Sequence, residues 1–180
     1  MQIYDCLMKD HDEVKNLLTD LIALSDDEKE ERVRLVGEIR DALIPHARAE
    51  ESIFYNSIRA LDEKSGVMHS YGEHAAAEGM LRTLQVESGL GAGWRATAKS
   101  LKKALEHHIE EEETTLFAKG HALFNDSEAE MMGQAFEKLK PEIKDEGIVK
   151  TTIEMVANLM PPRMKGSVTS FVADKTANHP

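Results

Sequence analysis

Apolar residues recur at alternating spacings of three and four through four successive segments, and no run alternates apolar and polar with the period of a half-buried strand. The chain therefore reads as all-α, an antiparallel up-down four-helix bundle with an additional C-terminal helical segment. The first helix is predicted from about Gln2 to Leu24, with Ile3, Leu7, Val14, Leu18 and Leu21 on one stripe. Ser25 to Glu28 has the spacing of a capping box for the second helix, expected over roughly Asp26 to Leu61 with Val36, Ile39, Leu43, Ile53 and Phe54 inward. Pro45 lies inside it and should kink it near residues 41 to 45. A third helix spans about Gly66 to Val86. The Glu87 to Gly93 stretch, with three glycines, is the longest flexible connection, and a fourth helix runs from about Trp94 to Lys119.

Residues 1–125 thus form the bundle. Ser127 to Glu130 offers a second capping-box spacing and opens a helical extension over 126–162, which should pack on the bundle and which Pro141 and Gly147 should bend or divide before Pro161 and Pro162 end it. Residues 163–180 lack periodicity and read as an irregular tail.

The core stripes have gaps filled by residues that do not belong in an apolar core. On the first helix His11 falls between Leu7 and Val14. On the second, Ile39 and Leu43 are followed by His46, Glu50 and Ile53. The third reads Val67, Tyr71, His74, Glu78 and Leu81, and the fourth Leu101, Leu105, His108, Glu112 and Thr115. Residues four apart stack on one helix face, so each His-x-x-x-Glu pair has the spacing of a chelate. His107 lies about 100° around the helix from His108 and should face solvent, as should His69. Glu51 and Glu113, each one residue after a proposed ligand, are candidates to support that ligand or to replace it. Tyr71 and Tyr55 read as half-buried core tyrosines.

A single inward histidine is more often a hydrogen-bonded core residue than a ligand. Three buried carboxylates are harder to dismiss, because leaving each ionised and unpaired costs several kcal/mol and the inward positions offer no lysine or arginine. Metal coordination satisfies them together. Imidazole with carboxylate suits iron, manganese or zinc, and no cluster of cysteines supports a zinc ribbon or an iron–sulfur centre. His11, His46, Glu50, His74, Glu78, His108 and Glu112 exceed what one ion holds. Two roughly octahedral ions ask for about twelve bonds, which leaves about one position open if Glu50 and Glu112 bridge and an oxo or hydroxo group is shared.

Composition narrows the setting. With 33 acidic and 22 basic residues the net charge is −11, which repels phosphate backbones and argues against nucleic-acid partners. Cys6 is the only cysteine, so no internal disulfide forms and a reducing, cytoplasmic location is expected. No segment has the pattern of a signal peptide or the length of a membrane span, so the protein should be soluble and no membrane partner is expected.

The local phrases Lys9-Asp10-His11-Asp12, His46-Ala47-Arg48-Ala49-Glu50-Glu51 leading to Phe54-Tyr55, Glu73-His74, and His108-Ile109-Glu110-Glu111-Glu112-Glu113 leading to Leu116-Phe117 are each short. In this order on four helices they resemble the hemerythrin-like, or HHE cation-binding, family over roughly residues 5 to 120. The resemblance implies a non-haem di-iron bundle with His11, His46, Glu50, His74, His108 and Glu112 as ligands. Glu78 stands where oxygen-carrying hemerythrins have a second histidine, and Glu112 lies four residues after its histidine where they have an aspartate five after. Both departures argue against a reversible oxygen carrier.

The expected function is binding or sensing of a small oxidant, dioxygen, nitric oxide or peroxide, at an open iron position. Enzymatic turnover of peroxide or nitric oxide with an external electron donor is the alternative, as is iron donation or storage for repair of iron centres. Ferritin-like carboxylate bundles use Glu-x-x-His, and residues 43, 71 and 105 are Leu, Tyr and Leu, so that motif is absent.

Overall fold

The computed structural model describes residues 1–146, 158–164 and 166. Its elements are α1 (Ile3–Ala23), α2 (Lys29–Glu50), α3 (Asn56–Leu61), α4 (Val67–Leu90), α5 (Trp94–Glu111), α6 (Phe117–Leu123) and α7 (Asp126–Glu146), with a short 3-10 turn at Pro162–Met164. A π-helical turn at Glu51–Tyr55 joins α2 to α3, and another at Glu112–Leu116 joins α5 to α6, so each pair is one long helix with an inserted π turn. Four long helices result, packed as a ring in which α1 touches α2 and α5, and α4 touches α2 and α5. Helix α7 lies in the groove over α1 and α2. Among the described residues there is no strand, and no helix is long and apolar enough to cross a membrane.

The expected helices form with adjusted ends. Glu28 reaches back to the Ser25 N–H at 2.7 Å, half of the anticipated box. The second capping box is closed by Asn125 and Glu128, not by Ser127 and Glu130: the Glu128 N–H donates to Asn125 Oδ1 and the Asn125 N–H to Glu128 Oε2, both at 3.0 Å. Helix α4 runs on to Leu90 through the stretch expected to be a long connection, and stops where Gly91 takes a left-handed φ of 82°. Its last turn is held by the buried Arg32, whose Nε–H donates to the Ser88 carbonyl at 3.0 Å and whose guanidinium sits 5.1 Å from the Trp94 ring.

Neither internal proline ends its helix. Pro45 lies within α2, and the departure from α geometry comes after Glu50. Pro141 lies within α7, which is unbroken to Glu146; Phe136 and Leu139, both buried just before it, hold this stretch against the bundle. Gly147 and most of the expected tail lie outside the described residues. Within the described part of that tail, Arg163 pairs with Glu128 at 2.6 Å.

The core has two apolar clusters. One gathers Ile3, Tyr4, Leu7, Ile53, Phe54, Phe117 and Phe124 with Met132 and Phe136 of α7. The other gathers Val14, Leu18, Leu21, Ile39, Leu43, Leu81, Trp94, Leu101 and Leu105. Along every helix of the ring the histidines and inward glutamates fall between the two sets, a polar layer sandwiched in an otherwise apolar interior. Helix α7 can approach α1 closely because it carries Gly133 at the contact, where a Cβ would stand 2.5 Å from the Met1 carbonyl.

Leu18 is fully buried in the second cluster. Leu18→Ala should lower the free energy of unfolding by about 2–5 kcal/mol in urea titrations while leaving bound metal per chain unchanged.

Candidate metal centre

His11 of α1, His46 of α2, His74 of α4 and His108 of α5 are all buried and converge on the two glutamates Glu50 and Glu112, which are 0% and 1% exposed. Two groups have the compactness to hold an ion, His11 with His46 and Glu50, and His74 with His108 and Glu50. Glu50 belongs to both. His74 Nε2 lies 3.3 Å and His46 Nε2 3.6 Å from Glu50 Oε2, while His11 Nε2 lies 3.4 Å and His108 Nε2 3.8 Å from Glu112 Oε2. His74 Nε2 and His108 Nε2 are 3.0 Å apart.

All four imidazoles are oriented in the same way. His11 Nδ1–H donates to Glu113 at 2.9 Å, His46 Nδ1–H to Asp10 at 3.2 Å, His74 Nδ1–H to Glu51 at 3.1 Å and His108 Nδ1–H to Glu73 at 2.9 Å. A carboxylate on Nδ1 fixes that nitrogen as the donor, makes the ring more basic and leaves the Nε2 lone pair pointing inward, the arrangement that metal-binding histidines use. Cations stand behind two of these carboxylates. Lys140 of α7 bonds both oxygens of Asp10 at 2.8 Å, and Arg48 approaches Glu51 at 3.3 Å.

The inner face is left uncompensated. His11 Nε2 and all four oxygens of Glu50 and Glu112 complete no hydrogen bond of ordinary geometry. Burial, reinforced by the facing Glu112, raises Glu50 well above the carboxylate range. Burial acts on Glu112 in the same direction but is outweighed by Glu50 and His11, which hold it low. His11 is raised because Glu112 and Glu113 overcome its burial, whereas burial pushes His46 down to about 4 in spite of Asp10. Positive ions held between these groups would neutralise the charges directly. Carboxylate and imidazole donors of this kind fit iron, manganese or zinc.

A hemerythrin HHE cation-binding domain model matches residues 2–119. The chain belongs to this family. A solved structure from the same family, an HHE cation-binding domain-containing protein from Mycobacterium kansasii, superposes with a TM-score of 0.67 at 22% identity, covering 82% of this chain and 95% of that one. A DNA nickase from Nostoc sp. is 26% identical over 144 residues, 80% of this chain, and the chain spans 40% of that protein's length.

Six of the seven sequence-expected ligands meet in this layer. Glu78 does not: it is half-buried on α4, and its carboxylate is taken by Arg48 and by Arg82, the latter at 2.6 Å. The reason lies in the stripe. The buried face of α4 passes through Val67, Ser70, His74, Ala77, Leu81 and Leu84, a three-four alternation that steps over both Tyr71 and Glu78. Glu78 instead borders a narrow cleft, with Leu43, Ala47 and Ala77, that reaches His74.

Sequence reasoning also missed three groups. Tyr55 is fully buried, its hydroxyl 3.5 Å from His108 Nε2 and its ring stacked on His74. An α-helical register places Ile53 and Phe54 inward after Glu50, but the π turn closes i to i+5 bonds and brings residue 55 beneath Glu50 as well. The corresponding turn on the other helix exposes Thr115 and buries Leu116 and Phe117. Asp10 and Glu73 were passed over because each precedes one histidine in the chain yet serves another across the bundle. The signal available was an acid beside a ligand in the chain: Asp10 beside His11, Glu51 beside Glu50, Glu73 beside His74 and Glu113 beside Glu112.

Removing a carboxylate behind a histidine should loosen metal without unfolding the bundle. Asp10→Ala is expected to weaken zinc binding about 10- to 100-fold in competition with a chromophoric chelator. Lys140→Met should produce part of that loss, whereas Glu78→Gln should leave stoichiometry and affinity unchanged.

Proposed function

We propose that the protein holds two metal ions in this layer, one beside His11 and His46 and the other beside His74 and His108, with Glu50 and Glu112 serving both, and that the metal in the cell is iron. The observation that carries this is Glu50: fully buried, shared by both ligand groups, and without a hydrogen bond to either oxygen. Two cations would satisfy it.

Without Glu78 the chain supplies about eight of the roughly twelve donors that two octahedral ions accept, so open positions remain for small molecules. Iron, when bound, would supply electrons to an oxidant and a Lewis-acidic position to hold it. The residues around it set what can arrive. A cavity of about 10 Å³, near the size of one water, is lined by the four histidines, Asp10 and the apolar Val14, Leu43, Leu105 and Ile109. Its size and apolar wall suit dioxygen, nitric oxide or peroxide and exclude larger substrates. We read the protein as one that binds or senses such an oxidant in the cytoplasm.

Tyr55 favours a second reading, turnover of peroxide. Its phenol is kept protonated by burial and by the nearby Glu112 and Glu50, and it lies at the His108 side of the layer, so it can donate a hydrogen bond to an oxygen atom placed there. The nickase activity named for the longer Nostoc protein finds no support in this chain, whose charge of −11 disfavours DNA.

Anaerobic loading with ferrous iron followed by metal analysis should give two irons per chain, and mixing with dioxygen, nitric oxide and peroxide should produce a distinct optical change with at least one of them. One iron per chain, or a loaded centre inert to all three, would defeat the proposal. Tyr55→Phe should retain both irons; a fall in peroxide consumption with nitric oxide binding preserved would select the enzymatic reading.

A further inference from the structure

Among the described residues one other group of ligand-type side chains is compact enough to share an ion: His69, Glu73 and Glu111, on the outer face where α4 meets α5. His69 and Glu73 are four residues apart on α4, and His107 and Glu111 are four apart on α5, so two stacked pairs face each other across the seam. His69 Nε2 lies 3.4 Å from Glu73 Oε1 and 3.6 Å from Glu111 Oε2. His107 Nε2 lies 3.6 Å from the other oxygen of Glu111. One carboxylate therefore stands between two imidazoles, at distances too long for good hydrogen bonds. Exposed ion pairs of this kind add little to stability.

Glu73 joins this group to the interior. Its Oε1 faces His69 while its Oε2 accepts the Nδ1–H of His108, a histidine of the buried centre. The buried ligands are nearly closed to solvent, yet ions have to reach them from outside. His69 and His107 are well exposed, at 69% and 63% of their side-chain surface, and stand ready to meet a hydrated cation.

We propose that His69, Glu73, His107 and Glu111 form a solvent-facing site for a divalent transition-metal ion and that this site delivers ions to the buried centre. Two imidazoles with two carboxylates are the donor set for such an ion. The delivery role rests on the two-metal reading of the interior.

Cobalt(II) is a suitable probe, used with the full chain under anaerobic conditions, because its absorption distinguishes coordination environments. Equilibrium dialysis of the wild-type protein should show three ions per chain, of which gel filtration removes one and leaves two. The double variant His69→Ala/Glu111→Gln should show two at both stages, and its buried centre should fill about tenfold more slowly with equimolar cobalt, the low end of the effect of losing a supporting metal contact. His107→Asn should slow filling in the same direction, and helical circular dichroism should be unchanged in both. Absence of a third ion in the wild type, or wild-type filling rates in the variants, would overturn the proposal. Failure of the wild type to retain two ions after gel filtration would overturn the two-metal reading and the delivery role with it, an outcome the two stages separate from loss of the surface site alone.

Discussion

Two carboxylates, Glu50 and Glu112, face each other in the middle of an apolar bundle, and among the described residues no lysine or arginine forms an ion pair with either. Burying either one ionised and alone would cost several kcal/mol, a large share of what a domain this size has to spare. The surrounding architecture follows from that constraint. Four imidazoles turn their lone pairs toward the glutamates, four outer carboxylates hold those imidazoles in place, and two apolar clusters close the layer from both ends of the bundle. One π turn begins at Glu112 and the other at Glu51, the residue after Glu50, and there the backbone gives up α geometry to bring further side chains against the layer.

Support for the centre extends outward in chains of alternating charge. Lys140 steadies Asp10, which orients His46; Arg48 stands behind Glu51, which orients His74; and His69 lies against Glu73, which orients His108. The first of these starts on α7, whose Phe136 also packs edge-on against the His46 ring at 5.8 Å. The C-terminal helix thus does more than cover an apolar groove: it steadies one histidine through Asp10, which lies 130 positions before Lys140 in the chain. The charge of Lys140 is secured in turn, because Asp10 and Glu137 raise its pKa against the effect of burial.

The all-helical fold and the polar layer were legible in the sequence because both depend on a single periodicity. His11, His46, Glu50, His108 and Glu112 occupy positions that any α-helical stripe through the neighbouring leucines must pass. His74 is equally regular, but the choice between Ala77 and Glu78 as its successor on the stripe is a difference of one residue, and only packing against α2 and α5 settles it. Tyr55 was out of reach for another reason: a π turn leaves no simple mark in the sequence, and every register beyond it shifts. The pairing of Asp10 with His46 and of Glu73 with His108 crosses from helix to helix, so adjacency along the chain pointed to the right acids without showing which histidine each one holds.

The central claim is that the layer between the two apolar clusters takes a pair of ions bridged by Glu50 and Glu112. Anomalous X-ray scattering at the iron edge from crystals of the ferrous-loaded protein addresses it directly. The account requires two peaks of similar height about 3.5–4 Å apart, the spacing of two-metal centres, lying between the glutamates with one histidine pair beside each. A single peak, or peaks lying away from Glu50, would contradict it.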